Sequence, residues 1–226
     1  MHLSTPPTSA GKSPDSVSPG TVSSGSALSS ELNVSCAQYS VFTTPEELRF
    51  ASGAPAFWKP ILGAAKRRQQ VLTPGVNWNR VLFVRSGSEI AGYLQFYMRG
   101  NGPHNPNFKD FIAVFSVGQA CWRFLLYKAI SYRFQRFEAY AYRVIVKESF
   151  RSRGVGRCLV LSWLEHLKAQ GVRKVTLEVW SNNPRAYDFY LQLGFRVDQR
   201  AIFHRALRWF MKSYPIKMVY DLSNEI

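Results

Sequence analysis

The chain has 226 residues, 46% of them hydrophobic, only three cysteines and a formal net charge of +15. That is enough apolar material for one α/β domain with a sizeable core. Cys36, Cys121 and Cys158 lie far apart without histidines at metal-ligand spacing, which excludes a disulfide framework or a zinc site as the basis of the fold. A basic excess of this size concentrates anions such as RNA, acidic peptides and anionic lipid surfaces around the protein, without choosing among them.

Residues 1–40 are dominated by Ser, Thr, Pro, Gly and Ala, with Lys12, Asp15 and Glu31 as the only charges. Such a segment buries too little apolar surface to offset the entropy of ordering its backbone, and reads as a flexible tail on a folded domain spanning 41–226. It has no apolar stretch of the kind a secretory signal needs; its Ser-rich, acid-poor composition leaves organelle targeting as a minor reading, although it lacks the arginines of a transit peptide. With so few cysteines, a reducing, cytoplasmic setting is expected.

Val34 to Phe42 reads as a first strand, and Thr44-Pro45-Glu46-Glu47 combines an N-cap, a proline and first-turn acids, a helix start. A second helical stretch is expected from Phe57 to Gln70, ending in Lys66-Arg67-Arg68. Val81 to Val84 and Ile90 to Phe96 flank Ser86-Gly87-Ser88 and predict a hairpin.

An insertion of about 100–135 follows: a Gly/Pro/Asn loop from Gly100 to Asn107, then an aromatic stretch from Phe108 to Phe134. Phe111, Val114, Phe115, Trp122, Leu125, Leu126, Ala129 and Ile130 recur near helical spacing, interrupted by Gln119, Arg123 and Lys128. The stretch is too polar and too broken to span a bilayer. A helical lid over a substrate groove, a basic amphipathic surface for a membrane or partner, and plain core remain open as readings.

Phe137 to Val146 predicts a strand, and Gly154 to Gln170 a helix with Val155, Leu159, Leu161, Trp163, Leu164 and Leu167 on its apolar face and Gly171 at its end. Lys174 to Val179 is a strand, Asn183 to Leu193 a helix, and Phe203 to Tyr220 either a closing pair of strands or a strand and a loop. This order predicts an α/β fold, a mixed twisted central sheet with helices on both faces and a helical insertion before the strand that ends at Val146.

Between that strand and its helix stands Arg151-Ser152-Arg153-Gly154-Val155-Gly156-Arg157. A glycine turn here aims backbone N–H groups, the positive end of a helix dipole and flanking guanidinium groups at one point, which suits a pyrophosphate. Leu159 occupies the position of the third glycine of a dinucleotide fingerprint, and Arg157-Cys158 replaces the Lys-Ser/Thr pair of a P-loop, so neither common nucleotide motif fits. Cys158, on the first helical turn, sits where a thiol pKa can be lowered, although core packing is the commoner role for a cysteine in that place.

Arg151, Gly154 and Gly156 match the Arg/Gln-x-x-Gly-x-Gly/Ala signature of the Gcn5-related N-acetyltransferase (GNAT) superfamily. Downstream, Thr176-Leu177-Glu178-Val179 and the series Asn183, Ala186, Tyr190, Gly194, Phe195 resemble that family's Asn-x-x-Ala-x-x-x-Tyr-x-x-x-Gly-Phe block, most closely as found in ribosomal-protein N-terminal (alanine) acetyltransferases. The resemblance implies a GNAT fold, acetyl-CoA as cosubstrate, no metal, and direct acyl transfer to an amine. It implies that Val144, Ile145 and Val146 contact the pantetheine and thioester through main-chain groups, that Arg151, Ser152, Arg153, Gly154, Val155, Gly156 and Arg157 hold the pyrophosphate, and that Asn183 hydrogen-bonds the coenzyme arm.

By the same resemblance Tyr190 is the acid that protonates the departing thiolate and Glu178 the base, with Tyr187 as a control on the same helix. Glu178 has a structural alternative, pairing with Arg173, Arg143 or another cation; His104 and Glu138 are secondary candidates for the base. Lys147-Glu148 stands where relatives carry an Asp/Glu-Pro pair, a departure at the entry to the turn. The acceptor is left open: a protein or peptide amine, a small amine or an aminoacyl-tRNA, with the charge favouring an anionic one. The acyl chain, the contribution of nucleic acid or an anionic membrane surface, and a monomeric or homodimeric state are equally open. A non-catalytic acyl-CoA-sensing or RNA-binding protein on the same fold is the alternative.

Overall fold

The computed structural model describes residues 32–36, 44–198 and 212–224. Seven strands, β1 (Leu32–Cys36), β2 (Val81–Ser86), β3 (Glu89–Met98), β4 (Ala139–Val146), β5 (Lys174–Trp180), β6 (Arg196–Val197) and β7 (Pro215–Asp221), form one sheet in the order β1-β2-β3-β4-β5-β7-β6. Among the described residues only the central β4–β5 pair is parallel. The predicted first strand begins two residues early, at Leu32; residues 37–42 of that expectation, and 203–211 of the expected closing strands, lie outside the described residues.

Alternation along the strands sorts the core into two faces. Leu82, Val84, Leu94, Phe96, Ala139, Ala141, Val175 and Leu177 point to one side and pack on α6 (Val155–Ala169) and α7 (Pro184–Gln192). Val81, Phe83, Tyr93, Tyr97, Tyr140 and Tyr142 point to the other, under α1 (Pro45–Ala51), α2 (Lys59–Leu62), α3 (Ala65–Leu72), α4 (Phe108–Ile112) and α5 (Val117–Gln135). The mixed sheet with helices on both faces is the predicted architecture.

Local signals account for most helix boundaries. Thr44 and Glu47 form a reciprocal capping box at α1. The stretch expected from Phe57 to Gln70 is broken: a 3₁₀ turn and α2 stop at Gly63, and α3 starts afresh. The insertion is likewise two helices, with α4 capped by Asn107 and Asp110 and α5 beginning after Ser116. On α6, Leu161 lies outside the apolar face and is exposed, while Val160 takes a buried place; the face is set by the sheet below it and not by every leucine. Cys158 is partly buried, and that burial pushes its thiol pKa up, in keeping with a packing role.

The insertion face is an aromatic core. Trp58, Tyr97, Phe111, Tyr127, Phe134, Tyr140 and Tyr142 are all buried there, with Trp58 and Tyr127 ring centroids 4.7 Å apart. Its polar edges need partners, and the Trp58 indole N–H donates to the Tyr142 hydroxyl. Removing that acceptor in Tyr142→Phe leaves a buried N–H unsatisfied, and a loss of about 1–3 kcal/mol is expected in urea unfolding.

Candidate active site

Two features of β4 open the sheet. Gln95 pairs with Arg143 and Phe96 with Ala141, so Tyr142 is an extra residue, a β-bulge that turns both Tyr142 and Arg143 toward the insertion face. On its other edge β4 pairs with β5 only through Ala139↔Val175, Tyr140↔Thr176 and Ala141↔Leu177. Beyond Ala141 the two strands part, and β4 runs on to Val146 with no β5 partner.

The gap is a cleft of about 160 Å³ lined by Tyr142, Arg143 and Val144 from β4, Glu178 and Trp180 from β5, and Asn183 and Tyr190 from α7. Of the residues anticipated from sequence, Val144, Glu178, Asn183 and Tyr190 meet here. Ile145 is partly exposed, and Val146 packs against the core on the α6 side.

Glu178 and Tyr190 reach the cleft from opposite faces of the sheet. Glu178 alternates with the buried Leu177 and Val179, so it points to the insertion side, where Arg133 of α5 forms an ion pair with it and the Tyr140 hydroxyl donates to Oε2 at 3.4 Å. The cation is Arg133, not Arg173 or Arg143; only the placement of α5 selects it. Its side chain is 55% exposed against 15% for the carboxylate. Tyr190 rises from α7 on the other side, and burial pushes its phenol well above the usual range, so it keeps its proton throughout ordinary pH.

Local geometry fixes Tyr190 and Asn183. The Asn183 Oδ1 accepts from Ala186 N–H at 3.1 Å and caps α7. At the other end Gly194, at φ +93°, lets Phe195 N–H reach the Tyr190 carbonyl at 3.0 Å and Gly194 N–H the Leu191 carbonyl at 2.9 Å, a Schellman cap. Phe195 is thereby buried with its ring 5.5 Å from that of Tyr190. The Asn-to-Phe spacing is thus the physical description of a short helix closed at both ends.

The basic turn stands at the far end of β4. Gly154 adopts φ +80° as the N-cap of α6, with no side-chain capping bond. The first intrahelical bond is Cys158 N–H to Gly154 O at 2.9 Å, so the N–H groups of Val155, Gly156 and Arg157 project from the helix end. Arg151, Ser152, Arg153 and Arg157 are exposed around them, and Ser152 is also at positive φ, +61°. A Cβ on Gly156 would meet Val146 Cγ2 at 3.6 Å and Phe189 Cζ at 3.5 Å, which seats the turn against both β4 and α7. Lys147, at the departure from the family pattern, ties the entry down through ion pairs to Glu46 (2.8 Å) and Glu89 (3.1 Å).

The secondary candidates for a base are spoken for. The Glu138 carboxylate accepts from the Arg173 and Lys174 N–H groups at 2.9 and 3.0 Å. His104 is buried, its Nε2 is 2.8 Å from the Ala51 carbonyl, and burial lowers its pKa to about 4. His166 lies on α6, and His204 is outside the described residues. Trp180, half exposed at the cleft, was not singled out from sequence, although strand alternation places it on the same face as Glu178. Tyr140, Tyr142 and Arg133 carried no sequence signal of their own.

The model of the acetyltransferase (GNAT) family matches residues 57–195. No curated protein sequence matches the chain. Among solved structures, SsHAT is similar at 14% identity and a TM-score of 0.51, over 84% of this chain and 98% of that one. The ribosomal-protein-S18-alanine N-acetyltransferase from Escherichia coli aligns at 13% identity with a TM-score of 0.45, over 84% and 94%. A Bacillus anthracis structure solved in complex with acetyl coenzyme A aligns at 16% identity with a TM-score of 0.40 over 63% of this chain, which spans only 61% of that protein.

Two outcomes are expected. A Cβ at Gly154 meets no atom within 4 Å, so Gly154→Ala isolates the cost of positive φ, about 1–2 kcal/mol in urea unfolding. The His104 imidazole resists protonation to about pH 4 when folded but titrates near 6.5 when unfolded. Its contribution is therefore intact above pH 6.5 and is lost as pH falls toward 4, by about 3 kcal/mol, and unfolding of His104→Gln followed across that window shows a correspondingly shallower acid loss.

Proposed function

The chain belongs to the acetyltransferase (GNAT) family, and from that premise we propose that it moves an acetyl group from acetyl-CoA directly to an amine acceptor. The observation that carries the reading is the convergence of Glu178 and Tyr190, from opposite faces of the sheet, on the cleft where β4 leaves β5. The β4 edge beyond Ala141, with no β5 ladder to satisfy it, suits an extended pantetheine arm. The α6 end, with its projecting N–H groups and Arg151, Arg153 and Arg157, suits the pyrophosphate.

Direct transfer requires a neutral amine, a donor toward the carbonyl oxygen as charge develops there, and a proton for the departing thiolate. A main-chain N–H at Val146 or a neighbour serves as the donor in this reading, and the Tyr190 hydroxyl supplies the proton. Glu178 takes the amine proton, directly or through water. Its pairing with Arg133 is compatible with that role, because the Arg133 side chain is the exposed partner and can swing into solvent as an incoming ammonium takes its place beside the carboxylate. The acceptor is a protein or peptide amine or a small amine.

Calorimetric titration with acetyl-CoA and free CoA is expected to show saturable, micromolar-range binding that is lost in the folded Gly154→Asp/Gly156→Asp variant. With a panel of amines, release of free thiol should fall about a hundredfold or more in Tyr190→Phe and persist in Tyr187→Phe. A well-folded wild type that binds neither coenzyme form overturns the proposal; binding without turnover of any amine favours an acyl-CoA sensor.

A further inference from the structure

Helix α5 has an exposed face that the catalytic reading does not use. Its buried residues, Ala120, Tyr127, Ser131 and Phe134, face the aromatic core. On the opposite side Cys121, Trp122, Leu125, Ala129 and Tyr132 follow one another at helical spacing and all are exposed, Leu125 at 68%, Tyr132 at 59% and Trp122 at 46%. A row of large apolar side chains so far out of the core marks an interaction surface more than a packing accident.

The charges beside the stripe say what covers it. The 19 residues of α5 include Arg123, Lys128 and Arg133 and no Asp or Glu, and Arg136 follows at the C-cap. Arg136 Cζ lies 5.5 Å from the exposed Tyr132 ring, while Arg123, 4.5 Å from the Trp122 ring, is half-buried and donates to the Ile61 carbonyl. Lys128 and Arg133 emerge on either side of the stripe. A second copy docked through this face would set these cations against their own equivalents. A bilayer interface with anionic headgroups instead accepts leucine among its acyl chains, tryptophan and tyrosine at headgroup level and arginine and lysine on phosphate. Among the described residues no helix is long and apolar enough to cross a membrane.

We propose that the Cys121–Tyr132 face of α5 docks the protein on anionic phospholipid bilayers. The overall charge of +15 supplies long-range attraction, and the apolar stripe supplies insertion. Docking stands independently of acetyl transfer, although α5 also carries Arg133 to the cleft, so the bound face and the Glu178 side of the cleft lie along the same helix.

The test is co-sedimentation of the full chain with vesicles of phosphatidylcholine, alone or mixed with phosphatidylglycerol. Partitioning onto the mixed vesicles is expected, and Trp122→Ser/Leu125→Ser, which leaves the net charge unchanged, is expected to weaken it at least about tenfold. Leu161→Ser, on the exposed side of α6, should partition as the wild type does. Trp122→Phe keeps an apolar ring and should still bind, but lose most of the fluorescence quenching that brominated acyl chains produce in the wild type. Equal partitioning of the double serine variant would show that bulk charge alone attracts the protein and would overturn the proposal. So would failure of the folded wild type to bind, absence of bromine quenching, or lipid-free dimerisation that the double variant abolishes.

Discussion

The site depends on where the parallel ladder between β4 and β5 stops. Three residue pairs hold the strands together, and after Ala141 and Leu177 nothing does. The extra residue at Tyr142 gives β4 a local bend, and the aromatic core secures it, since Tyr142 is buried with its hydroxyl engaged by Trp58. A central sheet normally satisfies its backbone on both edges; here a stretch of β4 is left facing a cleft, and the same stretch leads directly into the basic turn.

Division of labour between the two faces follows from that opening. The α6 and α7 side is a regular aliphatic core with tightly capped helices, which fixes the position of Tyr190 and of the basic turn. The insertion side is aromatic and strewn with cations, and it supplies Tyr140 and Arg133 around Glu178. The proposed bilayer face belongs to the helix that carries Arg133.

Local rules succeeded wherever one residue type has one conformational use. The helix start at Thr44 and the glycine turn before α6 were legible in the sequence, and so were the mixed sheet and the helix from Asn183. They failed where packing decides. The stretch from Phe57 broke at Gly63, and Leu161 turned outward.

The sequence alone determined the family resemblance and the position of Val144, Glu178, Asn183 and Tyr190 along their elements, because these are encoded in spacings of a few residues. Tertiary structure alone decided that these four share a cleft, that Arg133 is the partner of Glu178, and that Trp122, Leu125 and Tyr132 face outward. Each of these rests on contacts between segments distant in the chain: Arg133 and Glu178 are separated by 45 positions, and Trp58 and Tyr142 by 84. No local periodicity records which distant residues meet, since that is settled by how the helices pack on the sheet.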